Sequence, residues 1–547
     1  MPVSFAGRRS ARRRSPASSW DWEEITFDLL GGMNTLDNPG FIAQVPRQPQ
    51  LGTLDPGTPI RMVLAQDVYS PGNRYDISTR PGFTEVRATA INASGIFTGM
   101  AHQGEIADRF LMTVSIAGTS HNIYQDDANP PTAITGGTNF TIGQDQLATL
   151  LNFTDGSTTG TIIVTLARDL PQFVNGSGTR SNFTIAGTGL TSLKPAIGEV
   201  FGQRVLYANY DQDGTIYFNR LAWTDLRDGN LITDITTQFQ SFERRTADKI
   251  RGMRVISDFC VVGSRDYLSL LALTPQGSAP FAVQDVPLGA GQGPISHHGM
   301  LSMFQRVAWM AQSGIFSLEG QKGEVIKEWT RFIKPTINDL SESRREFAIA
   351  GYDPELDIGM WAVSESGQAA HNKVIAVNFQ TEEVYIWTLT RNAFGMRIVS
   401  GEQRLIGGGL VGKFYNENRT ATFTGNADNA STAIDADVIT PRHHCGNPNL
   451  VKLFAGIKVA FDPQATSEAV TLQYRLNDAS AWSSFADSPY SVTGTANDIR
   501  EKFFPLMKSG THLQLRFRDV NSGQNFRVQN YTIVYKNLTP ALAIPTT

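Results

Sequence analysis

Residues 248–277 read DKIRGMRVISDFCVVGSRDYLSLLALTPQG. Two apolar, β-prone runs, FCVVGS and YLSLLAL, are joined there by the polar corner Ser264, Arg265 and Asp266, the pattern of paired strands in a small antiparallel sheet. Residues 293–320, GPISHHGMLSMFQRVAWMAQSGIFSLEG, repeat the plan: a strand through Met303, a strand RVAWMA, a turn at Gln312-Ser313-Gly314, then GIFSLEG. Gly314 suits the turn because glycine takes positive φ without a Cβ penalty. Residues 203–225 hold another such unit, whose Asp213-Gly214 pair is a strong hairpin signal. Later units run through EFAIAGYDPELDIGMWAVSESG with NKVIAVNFQTEEVYIW, and through RLIGGGLVGKFYNENRTATF. An earlier one joins GFTEVRATAINASGIFTGMAH to DRFLMTVSIAGTSHNIYQDD. From Gly82 onward the repeat is roughly 40 residues, and about six units are recognisable.

A lone four-stranded sheet of this kind is twisted and apolar on both faces, so it cannot bury itself; packing several around an axis covers both faces and leaves only short edges. The expected fold is therefore all-β, a β-propeller of about six blades in which Phe259, Trp309, Trp361 and Trp387 are packing residues. Two regions break the period. Residues 127–194, rich in Thr, Gly and Asn, predict an inserted β subdomain on a propeller loop. In residues 446–547, KVAFDPQ, VTLQYRLND, HLQLRFRD and FRVQNYTIVY alternate strictly, which predicts a separate β-sandwich. The domain reading is thus a basic arm over 1–25, N-terminal strands and a first blade over 26–126, the insertion over 127–194, the remaining blades over 195–445, and the sandwich over 446–547.

Composition agrees with this and narrows function. At 547 residues two to four domains are expected, and 50 Gly and 26 Pro with 18% charged residues suit many short strands and tight turns. The net charge of -4, from 47 basic and 51 acidic residues, excludes a generally basic nucleic-acid binder. A local basic patch remains in Arg8, Arg9, Arg12, Arg13 and Arg14, readable either as a solvated arm or as a contact for DNA phosphates or an acidic partner. No apolar h-region follows those arginines, so they do not open a secretory signal, and no apolar run is long enough to span a bilayer. Cys260 and Cys445 belong to no C-x-x-C pair, so neither a disulfide scaffold nor a zinc site is implied.

Chemistry-bearing constellations are few. Glycoside hydrolysis needs two carboxylates about 5 to 10 Å apart across one bond. Asp211 with Asp213 and Glu382 with Glu383 are the candidates, and surface turns and charged pairs of this kind are ordinary. The DQDG run at 211–214 resembles the start of a calcium loop, but loop position twelve is Ala222 instead of glutamate. In His297-His298 and His443-His444-Cys445, adjacent side chains on a strand point apart, which disfavours a metal. Gly289, Gly291 and Gly293 lack dinucleotide-site spacing. No catalytic, cofactor-binding or metal residue is assigned, and no cofactor is expected.

Several stretches together resemble the tail nozzle proteins of short-tailed bacteriophages, also called tail tubular protein B or packaged-DNA stabilisation proteins. They are LLGGMNTLDNPGFI at 29–42, QDVYSPGNRYDISTRPGFTEV at 66–86 with the Arg80-Pro81-Gly82 turn, GMRVISDFCVVGSRDYLSLL, SGIFSLEG and LQYRLNDASAWSSF. The order of these stretches, not any one of them, carries the resemblance. It implies a non-enzymatic structural protein in the virion tail, assembled in the host bacterial cytoplasm. It further implies a homo-hexameric ring whose propellers surround a channel, docked to the head-to-tail adaptor, holding a tail fibre or spike, and retaining and then passing genomic DNA. A mildly acidic chain suits a conduit, because a strongly basic lining would bind the polyanion and stall it. The rivals are a glycan-binding or glycan-cleaving propeller, and a receptor-binding fibre or spike, which would show a solenoid or heptad shaft that is absent here.

Overall fold

The computed structural model describes residues 22–28, 62, 64–70, 77–119, 122–154, 158–242, 249–274, 280–303, 305–319, 325–399, 401–417, 427–428, 432–445, 448–461, 468–492, 500–519 and 527–538. The chain divides into two compact units, one of residues 83–379 with 387–417, the other of residues 1–82, 380–386 and 418–547.

The larger unit is made chiefly of small antiparallel sheets, seven among the described residues and numbered here in chain order, with one two-stranded parallel pair, Ala186–Thr188 on Leu231–Asp234, beside them. Their first strands are Ile96–His102, Ala148–Phe153, Leu193–Phe201, Gly252–Ile256, Met300–Met303, Ile349–Asp353 and Ala393–Val399. In sheet 4, Phe259–Gly263 pairs with Tyr267–Leu273, Val261 opposite Leu270, across the polar corner expected from the sequence. Asp213 and Gly214 both take positive φ at the tip of the sheet 3 hairpin, as that turn requires. Each first strand touches the first strand of the next sheet, and that of sheet 7 touches that of sheet 1, so the contacts close into a cycle. Core side chains fill the gaps between sheets: Phe153, Val164 and Tyr207 between sheets 2 and 3, Leu206, Trp223 and Met253 between 3 and 4, Leu270, Trp309 and Phe316 between 4 and 5.

The first strands crowd one another, and glycine resolves the crowding. A Cβ on Gly99 would lie 2.4 Å from the Ala148 carbonyl oxygen of sheet 2, one on Gly252 2.4 Å from Met300 Sδ of sheet 5, and one on Gly395 2.8 Å from Met100 Cβ of sheet 1. Any side chain there would push two sheets apart.

The ends of this unit meet in sheet 7. Its strands Ala393–Val399, Glu402–Gly408 and Phe414–Glu417 are completed by Phe83–Glu85, which begins the unit, with Glu417 opposite Phe83 and Tyr415 opposite Glu85. At the seam with sheet 1, the fully buried Asp126 carboxylate takes Arg87 Nε at 2.5 Å on one oxygen and Arg397 Nη1 at 2.5 Å on the other.

Residues 127–194 do not form an insertion. Thr132–Ala133 is the outer strand of sheet 1, and Ala148–Phe153, Gly160–Thr165, Gln172–Asn175 and Arg180–Asn182 make sheet 2, so the sheets number seven where about six units were read. Threonine disguised this sheet. Thr161 and Thr165 are buried in a strand with no exposed residue, and their hydroxyls are satisfied by Gln103 Nε2 at 3.0 Å and Asp169 Oδ2 at 2.7 Å. A hydroxyl bonded in this way lets threonine pack where valine would.

The smaller unit has two main sheets. One runs Val68–Tyr69, Ile77–Thr79, Arg527–Asn537, Lys452–Phe461, Arg500–Gly510, with Glu23–Asp28 also on Arg527–Asn537; the other includes Leu64–Gln66, Ala436–Ile439, Leu513–Asp519 and Glu468–Leu476. Phe517 meets Tyr531 at 5.8 Å and Phe485 meets Phe504 at 5.9 Å between them. The alternating C-terminal strands thus face a second layer, but the N-terminal strands belong here and not beside a first blade. Ile25 pairs with Ile533, a partner that no local pattern reveals.

Replacing Asp126 by alanine removes the carboxylate between two half-buried guanidinium groups and is expected to cost about 3–5 kcal/mol of stability. Asp108→Ala, at an exposed carboxylate beside His102, should cost less than about 1 kcal/mol. Urea unfolding midpoints of the two variants check this.

Candidate functional site

The segments that begin sheets 2 to 5 bring polar side chains together where the first strands converge. Arg254 Nη1 lies 3.1 Å from Glu199 Oε2 and 2.9 Å from His297 Nε2, and the Met253 amide donates to His297 Nδ1 at 3.3 Å. The His298 ring packs edge to face on that of His297, centroids 5.3 Å apart and planes at 80°, and places Nε2 3.3 Å from Thr149 Oγ1. Thr149 is in sheet 2 and His298 opens sheet 5, and these sheets are not neighbours in the cycle, so the contact spans its centre.

A second set of contacts crosses between the connections. Arg344, between sheets 5 and 6, puts Nη1 2.5 Å from Asp145 Oδ1, between sheets 1 and 2. Gln144 Nε2 donates to the Ala369 carbonyl at 2.8 Å, and Asn392 Nδ2 donates to the carbonyls of Phe97 at 2.8 Å and Gln144 at 3.1 Å. The axis of the cycle is therefore crossed twice by hydrogen-bonded side chains.

The electrostatics are those of a static network. Burial raises the Glu199 carboxyl, with Arg254 opposing it. Burial and then the Arg254 charge hold His297 well below its ordinary value and His298 down to about 3. Cys260, packed beside them, is raised well above the usual thiol range by burial, which makes it inert as a nucleophile. Nothing in this cluster pairs an activated nucleophile with a base.

The residues singled out in the sequence are placed as follows. Arg80 is 2% exposed, with Nε on Asp67 Oδ1 at 2.7 Å and Nη1 on the Pro81 carbonyl at 3.0 Å; residues 80–82 are buried but form no turn, and lie where the chain passes from one unit to the other. Arg8, Arg9, Arg12, Arg13 and Arg14 lie outside the described residues. Asp211 Oδ1 accepts the Gly214 amide at 2.8 Å, and Asp213 Oδ1 accepts those of Thr191 and Ser192 at 3.0 and 2.6 Å, so these carboxylates tie down turns. Glu383 is buried and accepts from Thr381 and Tyr385 hydroxyls. His443 bonds Tyr531, and burial, then its neighbour His444, holds it down to about 3. Among the described residues no group of three or more His, Cys, Asp or Glu could hold a metal ion, and no helix is long and apolar enough to cross a membrane.

One cleft of about 340 Å³ opens beside Asp266, Tyr267 and Asp285. Asp266 Oδ1 accepts the Gly291 amide at 2.8 Å and Asp285 Oδ1 the Ser269 hydroxyl at 2.9 Å, so both carboxylates also serve the fold. The crossing at Thr149, Glu199, Arg254 and His298 went unread in the sequence. Its one visible signal is the His297-His298 pair, which stands in a turn before the strand and not on it as expected, with the two rings edge to face at 5.3 Å and their nitrogens reaching different sheets.

No protein-family model matches the chain, and no curated protein matches it. Among solved structures it is similar to the N-terminal domain of Nup159, at 11% identity and a TM-score of 0.36 over 64% of this chain and 98% of that one. It is also similar to PorZ, a surface component of the type-IX secretion system of Porphyromonas gingivalis, at 11% identity and a TM-score of 0.33 over 69% of this chain and 44% of that one. Likenesses at this level carry no argument about function.

Buried neutral histidines make stability fall in acid. Below about pH 6.5 the unfolded chain takes up protons that folded His297, His298, His371 (held to about 4, mainly by burial) and His443 refuse. Stability is therefore fully present above that pH and falls as pH drops toward the folded values, by up to about 1.4 kcal/mol per pH unit for each histidine. Melting temperatures at pH 7 and 5 should show the loss, and His371→Gln should flatten the slope.

Proposed function

We propose that the chain is a non-enzymatic structural protein, a tail nozzle of a short-tailed phage, whose larger unit is a seven-bladed β-propeller. Six copies form a ring that docks on the head-to-tail adaptor, carries a fibre or spike, and retains and then releases genomic DNA. The observation that supports this reading best is the crossed axis. A propeller acting as a scaffold can close its own centre, and in such an assembly the conduit runs between copies instead of through each one. Two further features agree with it. Asp211 and Asp213 are bound into turns and Glu383 is a buried strand residue bonded to two hydroxyls, and the Arg80-Pro81-Gly82 stretch that resembles the nozzle family is anchored by a buried Arg80–Asp67 ion pair.

The cleft at Asp266 and Asp285 is the one feature that favours the rival glycan-binding propeller. Light scattering of the purified chain, alone and with adaptor and portal rings, separates the two. A six-copy ring, or one formed on the adaptor, is the expected result. A monomer that ignores those rings and binds glycan in an Asp266-dependent manner would replace the proposal with the rival.

A further inference from the structure

In the smaller unit, Glu468–Leu476 pairs with Leu513–Asp519 so that Gln473 stands opposite Arg516 and Arg475 opposite Gln514. Cross-strand partners two residues apart share one face of a sheet, so these side chains lie together. The acceptors among them are spent. Arg516 donates from Nε to Asp437 Oδ1 at 2.8 Å and from Nη2 to Asp437 Oδ2 at 2.5 Å, and its Nη1 reaches Gln473 Oε1 at 3.5 Å. Arg475 Nε donates to Gln514 Oε1 at 2.6 Å. Beside them, Arg518 takes both oxygens of Asp435 at 2.9 and 2.7 Å.

Donors are left over. The hydrogen bonds of Arg475 end at Nε, and its Nη1 and Nη2 are neither bonded among the described residues nor buried. The guanidinium lies against the Trp482 ring, 4.7 Å from its centroid, and this contact with the Gln514 bond fixes its plane. Trp482 Nε1 and Gln473 Nε2 likewise donate to no group among the described residues. The Arg475 charge is uncompensated as well. Asp478, just past the same strand, is held by Arg442 Nη2 at 2.5 Å and by His512 Nε2 at 3.3 Å. Burial and then the Arg442 charge lower the Arg475 pKa, with Asp478 opposing them last.

We propose that this corner binds a phosphate group, taken by the Nη1–Nη2 edge of Arg475, with Trp482 Nε1 and Gln473 Nε2 beside it as further donors. Spent acceptors and unspent donors select a ligand that only accepts, and the uncompensated guanidinium selects an anion. A tetrahedral phosphate keeps oxygens directed away from the arginine edge for the other donors, whereas a carboxylate puts both of its own on that edge. The inference rests on the conduit reading above only for the source of the phosphate, which is the backbone of DNA in transit. One uncompensated guanidinium per copy makes a weak, salt-sensitive contact that lets a polyanion pass.

Binding to the purified full chain tests it, with a labelled DNA duplex read by fluorescence anisotropy and inorganic phosphate read by its effect on the melting temperature at constant ionic strength. Arg475→Gln should weaken both about tenfold, leave the melting temperature in phosphate-free buffer unchanged, and lower the salt slope for the duplex by about one. Arg475→Lys, which keeps the charge and loses the fork, should fall between. Equal affinities in Arg475→Gln overturn the proposal, as does a chain that ignores duplex and phosphate alike. Arg475-dependent capture of poly-glutamate in preference to both also overturns it, in favour of a carboxylate site. Arg475-dependent binding of phosphate without binding of the duplex upholds the phosphate site and removes DNA as its source. A chain that stays monomeric even with adaptor present removes the ring reading and leaves these results standing.

Discussion

A small twisted sheet that is apolar on both faces must be covered on both, and most of the larger unit follows from that requirement. Each of the seven sheets covers the next, and the last must cover the first. The core clusters therefore sit between sheets and not within any one of them, with Tyr207, Trp223 and Trp309 filling successive gaps. Closure is secured by the chain itself. Phe83–Glu85 supplies the outer strand of the sheet that the unit's last residues begin, and Asp126 neutralises Arg87 and Arg397 across the same seam. Packing so many strands around one axis leaves little room at the centre, which is where Gly99, Gly252 and Gly395 give up their side chains.

The same crowding decides what the centre can do. Polar groups brought there must bond to one another, since burying them unpaired is costly. Glu199, Arg254, His297, His298 and Thr149 largely do so, and Asp145, Arg344, Gln144 and Asn392 make a second crossing from the connections, although His298 Nδ1, Arg344 Nε and Nη2 and Asn392 Oδ1 are buried without a hydrogen bond. These contacts fasten sheets that are not neighbours in the cycle. Strand edges and a cleft are exposed elsewhere on the unit.

How much of this could be read from the sequence depended on the range of the signal. Local patterns were legible: the strand–corner–strand unit at 259–273 and the Asp213-Gly214 hairpin stand where they were expected. The Thr-rich stretch was misread as an insertion because its buried hydroxyls are satisfied by partners such as Gln103, far along the chain. The N-terminal strands were misassigned because Ile25 meets Ile533, and such pairings leave no periodic trace. Arg80 stands out in the sequence for a turn that the structure does not form there, while its buried pairing with Asp67 depends on the fold. Glu199 and Arg254 carried no local mark at all.

The most direct measurement is an electron cryo-microscopy map of the purified chain bound to adaptor rings, at a resolution that shows side chains. Continuous density should cross the centre of each seven-sheet unit at His298–Thr149 and Arg344–Asp145, with the channel lying between six copies. An open bore along the axis of each unit, or a chain found on no adaptor ring, would contradict this.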